Sequence, residues 1–391
     1  MVAQEESGVR IVVVGVGGAG CNAVDRMISV EIPGVSYLAL NTDAQALARN
    51  DAPHKICLGG PRTRGLGAGG DPQKGAEAAN HSRDEIASAL EGADLVFIAA
   101  GMGGGTGSGA SPIVGDIARA NGALVIAVVT LPFSFEGHRR RQVAEAAVST
   151  LQEHVDTLIV VPNDRLLSFT SEKLTLDIAF RIADDVLRQG IQGISEVITR
   201  PGLINVDFAD VRRVMKGGGR SLMAVSQAKG PDRALEAAAS AVSHPLLDSQ
   251  SIAGARGILV NIVGGPDMTL HEASKAMEHI TAQAAEDAEV IFGAAIDNSM
   301  ADRIQITLIA TGLAEEATRR PEPARASITA QAKMERPLIV PREFEQRLAA
   351  LRHPASEMPQ PNTPSPAVEA PVLPRGALDI PAFLRRMRSA L

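Results

Sequence analysis

Residues 99–109 read AAGMGGGTGSG, and six of the eleven are glycine: Gly101, Gly103, Gly104, Gly105, Gly107 and Gly109, set around Thr106. An apolar run, DLVFIAA (94–100), leads into the stretch, and a helical pattern follows it. A strand that ends in successive glycines and opens a helix can turn backbone N–H groups toward an anion. An ordinary strand–helix turn does not need so many glycines, so the stretch reads as a phosphate cradle at the edge of a parallel sheet.

Two similar loops flank it. GVGGAG (15–20) follows RIVVVG (10–15) and fits G-x-G-x-x-G through Gly15, Gly17 and Gly20. Alone it fits a dinucleotide site or merely a tight strand–helix turn. GLGAGGD (65–71) precedes a helix over 72–90 that opens on Asp71-Pro72, a cap followed by proline in the first turn. No G-K-[ST] phosphate loop occurs in the chain. Three glycine loops at one sheet edge imply a polyphosphate clamp built without a P-loop lysine.

The strands around these loops define the fold class. RIVVVG, VSYLALN (35–41), DLVFIAA, ALVIAVVTL (123–131) and DTLIVV (156–161) are almost continuously apolar, as in a parallel sheet covered on both faces. Apolar residues then recur every three to four positions from Leu176 to Ile198, which predicts one long helix over 175–199, ended by Arg200-Pro201-Gly202. A second α/β unit has strands at 257–264, 289–296 and 303–311 and helices at 232–243 and 270–284. Between 319 and 374 there are eleven prolines and few apolar clusters, the composition of a disordered linker. The terminal GALDIPAFLRRMRSAL (376–391) regains helical spacing with a basic face. The expected organisation is a flexible start (1–8), a nucleotide-binding domain (9–174), a central helix (175–200), a second α/β domain (201–316), a linker (317–375) and a partner-binding peptide (376–391).

Composition narrows the function. The 391 residues carry 38 basic and 45 acidic side chains, a formal charge of −7, which argues against a nucleic-acid partner. Aromatics are only 3%, too few for stacking platforms on single strands. Two cysteines, Cys21 and Cys57, make no disulfide framework and fit a reducing cytoplasm. The longest apolar runs are too short to span a bilayer, so no direct membrane insertion is expected.

GGGTGSG (103–109) matches the tubulin/FtsZ signature at every position. GVGGAGCNAV, NTDAQAL, GLGAGG, FEGHRR, PND, NVDFAD and terminal DIPAFLRR, in that order, complete a resemblance to the FtsZ family of bacterial tubulin-like cell-division GTPases, covering residues 9 to about 313 and the final segment. The resemblance implies a tubulin/FtsZ-like α/β fold, GTP/GDP as ligand, and Mg²⁺ held mainly through the phosphates, with no assigned metal ligand. It places Gly18, Ala19, Gly20, Cys21 and Asn22 around the nucleotide, with Asn22 near guanine and Asn41 among the binding residues. It sets Ala68, Gly69 and Gly70 facing the γ-phosphate. Gly101, Gly103 and Gly104 lead to Gly105, Thr106 and Gly107, which hold the α/β-phosphates. Glu136 and Arg140 contact ribose and neighbouring groups, and Asn163, Phe180 and Asp184 surround the base. A carboxylate can accept from both N1–H and N2–H of guanine, a donor pair that adenine lacks. Two departures stand out: Ala19 where glycine is common, and Ala224, Val225 and Ser226 where the family's strand carries Gly-x-Gly.

NVDFAD (205–210) supplies Asn205, Asp207 and Asp210. Asp207 could merely cap a helix over 208–215. Chain direction gives another reading. A helix leaving the C-terminal edge of a parallel sheet runs back to the opposite pole. Asp184 and Asn205 are 21 residues apart, roughly 30 Å along a helix. Asp207 and Asp210 would then reach only a neighbour's nucleotide, in a head-to-tail homopolymer, where they would orient and polarise water with Asn205 hydrogen-bonding nearby. The resemblance further implies a cytoplasmic mid-cell ring, and a membrane tether or other division proteins bound through the terminal peptide. Two rival readings are an NAD(P) oxidoreductase, supported by GVGGAG alone and requiring an acid where Asn41 stands, and a non-catalytic nucleotide-dependent scaffold, against which the intact Asp207 and Asp210 argue.

Overall fold

Alternation within the first strand sets the layers. In the computed structural model, which describes residues 8–166, 175–200, 202–244 and 252–313, Ile11 and Val13 pack on one face of the sheet while Val12, Val14 and Val16 pack on the other. The N-terminal 1–7, the linker 317–375 and the peptide 376–391 lie outside the described residues.

The first part of the chain runs β1 (Ile11–Val16), α1 (Gly17–Val30), β2 (Val35–Asn41), α2 (Ala44–Ala48), β3 (His54–Cys57), α3 (Gly60–Thr63), α4 (Pro72–His81), α5 (Arg83–Ala89), β4 (Leu95–Gly101), α6 (Gly105–Ala120), β5 (Leu124–Leu131), α7 (His138–His154), β6 (Thr157–Pro162) and α8 (Asn163–Leu166). There follow α9 (Leu176–Thr199), α10 (Phe208–Met215), β7 (Gly219–Lys229), α11 (Arg233–Val242), β8 (Gly257–Gly264), α12 (Leu270–Thr281), β9 (Glu289–Ile296) and β10 (Arg303–Thr311). The expected 72–90 helix is broken at Ser82, where the backbone leaves helical geometry. β3, a four-residue edge strand, has no counterpart in the sequence reading.

One sheet of ten strands carries both α/β units, in the order β3-β2-β1-β4-β5-β6-β7-β10-β8-β9. β1 to β6 are parallel. β7 joins β6 over only three residue pairs, Thr157–Gly219 to Ile159–Ser221, and then pairs with antiparallel β10. α1, α9 and α10 cover one face of the parallel part, and α4, α5, α6 and α7 the other. The second unit packs α11 and α12 over β7, β8 and β10.

α9 buries Ala179, Ala183, Leu187, Ile191, Ile194 and Val197. Leu176, expected on that stripe, is the first residue of the helix and is 49% exposed. Gly190 and Gly193 let β strands come close: a Cβ there would meet Met223 Sδ at 2.5 Å and Thr307 Cγ2 at 2.6 Å. The Ala224-Val225-Ser226 departure is accommodated, with Ala224 fully buried and Ser226 Oγ donating to Ala237 O at 2.8 Å. No helix among the described residues is long and apolar enough to cross a membrane.

Candidate functional site

All the glycine loops lie beyond the C-terminal ends of the parallel strands, where open α/β sheets bind ligands. α1 and α6 both start there without a side-chain cap, on Val16 and Gly104. Their first-turn N–H groups therefore have neither an intrahelical partner nor a cap. Thr42 and Thr106 share a hydroxyl hydrogen bond of 2.6 Å, which ties the end of β2 to the start of α6. Gly67 N–H donates to Thr42 O and Ala44 N–H to Gly65 O, fixing the second loop beside them.

The glycines divide into two groups. A Cβ on Gly20 would lie 2.1 Å from Ala99 O, on Gly107 2.5 Å from Gly101 O, and on Gly109 1.9 Å from Pro72 O. Gly101 would strike Ala19 Cβ, Gly103 would strike Arg140, and Gly105 would strike Ala68 and Asp71. These glycines let backbones touch. Around Gly18, Gly69, Gly70 and Gly104 an added Cβ would meet nothing within 4 Å. Those four border open space, and the contacts between Ala68 and Gly105 and between Gly17 and Gly107 hold their loops together. Gly103 N–H is also taken, by Ser108 Oγ at 2.8 Å. Glycine density thus leaves open space at a few positions and permits close backbone packing at most.

The residues expected around the base lie on α1, α8 and α9. Asn163 is 5% exposed and, among the described residues, its Oδ1 has no hydrogen-bond partner. A buried orphan acceptor of this kind costs stability unless a ligand donor meets it. Phe180 joins an aromatic trio: it meets Phe133 edge-on at 5.5 Å and Phe135 at 6.4 Å, and Phe133 stacks on Phe135 at 5.0 Å. Phe135 is 53% exposed, so the trio offers an apolar surface at the site mouth. The Glu136 side chain is tucked in, accepting from Phe133 N at 2.8 Å and pairing with Arg140 at 3.1 Å.

Asp184 and Asp185 have different environments. Asp185 accepts from Arg188 Nε and Gln189 Nε2, both at 2.6 Å. Burial pushes its carboxyl up, but these bonds outweigh burial and hold it below the usual range. Asp184 is buried with one partner, Arg26 Nε at 3.4 Å, and burial pushes its carboxyl up to about 7 against the pull of Arg26. Asn22 is exposed one helical turn before Arg26. Cys21 packs against Gly15 O and Leu40 O, its thiol pushed up to about 12 by burial, as suits a packing residue. Asn41 Oδ1 accepts from Asp43 N, and Asp43 caps α2. The acid nearest the place where a ribose-binding carboxylate would stand is therefore already engaged.

Asn205, Asp207 and Asp210 are elsewhere. α10 begins among them, with Asp207 as its N-cap and Asp210 in its first turn; its Arg212 donates to Gly122 O just ahead of β5 while its Met215 O accepts from Thr157, the first residue of β6. At the end of α9, Thr199 packs on Gly34, just ahead of β2. These are the N-terminal ends of the parallel strands, a whole strand length of about 20–25 Å from the glycine loops. Asp207 caps α10 through Ala209 N at 3.2 Å, Asp210 pairs with Arg213 at 2.9 Å, and Asn205 Oδ1 accepts from Gly202 N at 2.6 Å. Leu203 beside them is 70% exposed. Among the described residues no group of three or more His, Cys, Asp or Glu is placed to hold a metal.

Arg26 and Phe133 escaped the sequence reading, and Thr42 and Phe135, which lie in NTDAQAL and FEGHRR, were given no role by it. The aromatic pair had a signal, because FSF stands out in a chain with 3% aromatics.

Residues 10–171 match the Tubulin/FtsZ family, GTPase domain, and residues 219–314 the FtsZ family, C-terminal domain. Among solved structures, the chain is similar to an empty FtsZ dimer from M. jannaschii, with 42% identity over 79% of this chain and 90% of that one and a TM-score of 0.76. It is also similar to a point mutant of FtsZ from M. jannaschii, with 43% identity over 78% and 92% and a TM-score of 0.76. A GTPγS-bound protofilament of CetZ2 from Haloferax volcanii, 22% identical over 77% and 92% with a TM-score of 0.65, shares the fold.

Proposed function

This chain belongs to the FtsZ family of tubulin-like GTPases, and from that premise we propose that its copies stack head to tail, each bringing Asp207 and Asp210 to GTP held by the next. The observation that carries the reading is the separation of those carboxylates from the glycine loops by the length of the sheet. A solved FtsZ 42% identical to this chain is described as a dimer, which supports association between copies.

Within one copy, the uncapped N–H groups of α6 at Gly105, Thr106 and Gly107, with Gly18, Ala19 and Gly20 of α1, hold the α- and β-phosphates. Ala68, Gly69 and Gly70 face the γ-phosphate. Phe180 stacks on the base, Asn22 and Asp184 read guanine, the orphan Asn163 oxygen takes a donor from the nucleotide, and Glu136 and Arg140 border the ribose. No protein side chain is assigned to Mg²⁺; bound together with the nucleotide, it would supply positive charge to offset that of the triphosphate. The neighbour's Asp207 and Asp210 orient and polarise the attacking water, and its Asn205 hydrogen-bonds beside them. Assembly completes the site, so hydrolysis follows polymerisation. The resulting filaments form a cytoplasmic division ring, and residues 376–391 bind the membrane tether.

The test is Asp210→Ala. It should bind GTP as the wild type does and hydrolyse it at least a hundredfold more slowly. Mixing it with a Gly18 variant that cannot bind nucleotide should restore part of the turnover, because an intact cradle and an intact loop then meet across one interface. Equal turnover per subunit in dilute monomer and in polymer would refute the shared site.

A further inference from the structure

Asp184 is placed to read the base, yet it is a poor anion where it stands. It is 7% exposed, and burial alone favours the protonated form, which could not accept from two guanine donors at once. Among the described residues, two charged groups act on it. Asp185, its neighbour on α9, repels it but is neutralised by Arg188, which Asp185 holds at 2.6 Å. Arg26, on α1, is the attractive one, at 3.4 Å.

Position adds to charge. Arg26 follows Asn22 by one helical turn, so both lie on the same face of α1. That face meets α9 where Asp184 is buried. The Arg26 side chain keeps 34% exposure, so its guanidinium is partly hydrated while Asp184 is not. The pair is therefore a lopsided one, in which the exposed partner serves the buried one.

We infer that Arg26 is a positioning and specificity residue: it favours the anionic form of the buried Asp184 carboxyl and fixes it against α1, so that the site accepts the N1–H and N2–H donors of guanine. The inference rests on the reading that Asp184 faces the base. Arg26 needs no contact with the nucleotide to act in this way. Its removal leaves a carboxyl that must lose its proton at binding, a cost that vanishes in alkali.

The experiment measures GDP and IDP affinity of the full chain between pH 6 and 8.5, for wild type, Arg26→Gln, Arg26→Lys and Asp184→Asn. The diphosphate titrates equally in every variant, so differences between variants report the pair. Arg26→Gln should bind GDP about fivefold more weakly than wild type at pH 7, about tenfold more weakly at pH 6 and nearly as well at pH 8.5, as a shift of about one pH unit requires. Arg26→Lys should restore most of the affinity at pH 7, and near-normal binding at pH 8.5 shows that the variants are folded. A loss in Arg26→Gln that is the same at every pH, no loss at pH 7, or failure of lysine to rescue would overturn the inference. Asp184→Asn tests the underlying reading separately. If it loses the preference for GDP over IDP while Arg26→Gln is insensitive to pH, only the role of Arg26 is wrong. If it keeps that preference, Asp184 does not read the base and both ideas fall.

Discussion

Single residues in this protein separate binding from stability. A Cβ on Gly109 would sit 1.9 Å from a backbone oxygen of α4, and such overpacking costs about 1–3 kcal/mol or more. Gly109→Ala should therefore lower the melting temperature of the nucleotide-free protein. Gly18 borders open space, so Gly18→Ala should melt like the wild type and bind GDP at least tenfold more weakly. Parallel melting and titration curves check the split, and a Gly18→Ala protein with normal affinity would contradict the cradle. Asp184 gives a second prediction. Burial raises its folded value from 3.8 to about 7, so its contribution to stability is fully present below pH 4 and is lost as pH rises through 7. Asp184→Asn should flatten that decline in the empty protein, seen as a smaller fall in melting temperature from pH 5 to pH 8. The sequence places Gly18 and Gly109 in glycine-rich loops that follow parallel strands. It could not show which glycine meets backbone and which meets open space, because the answer depends on how α4 and α6 pack. Nor could it join Arg26 to Asp184, 158 positions away.

At the level of elements, periodicity was a reliable guide wherever burial was continuous. The long strands and α9 lie within a residue or two of where their apolar patterns put them. β3 was hidden because HKIC is four residues long, lies at the sheet edge and has only Ile56 well buried. The break at Ser82 was hidden because helical spacing continues across it into α5. α10 shows two uses of one side chain. Asp207 is its N-cap, and it is also one of the two carboxylates we assign to the neighbour's GTP. The two roles separate by chemistry, since asparagine caps as well as aspartate and alanine costs about 1 kcal/mol. Asp207→Asn should keep the melting temperature and lose most of the GTP hydrolysis, whereas Asp207→Ala should lose both. Full hydrolysis by the asparagine variant would leave Asp207 as a cap only.

For the whole molecule, chain direction alone placed the NVDFAD loop at the far pole, and Arg212 bonded to Gly122 O ahead of β5 puts it there. What the sequence hid was the continuity of the sheet, because the three-pair seam between β6 and β7 involves no apolar pattern of its own. Removing residues 376–391 should leave assembly and GTP turnover in solution intact while abolishing recruitment to membranes that carry the tether, as fluorescence microscopy would report. Opposite poles also impose a simple arithmetic. In any row of n copies joined loop to carboxylate, one end presents an unserved cradle and the other an idle pair of aspartates, so only n − 1 sites are complete. A pair of copies works at half capacity and a long row at nearly full capacity. Length becomes a quantity the chemistry can sense, and the two tips of a row, chemically unlike, give it a direction without any further protein.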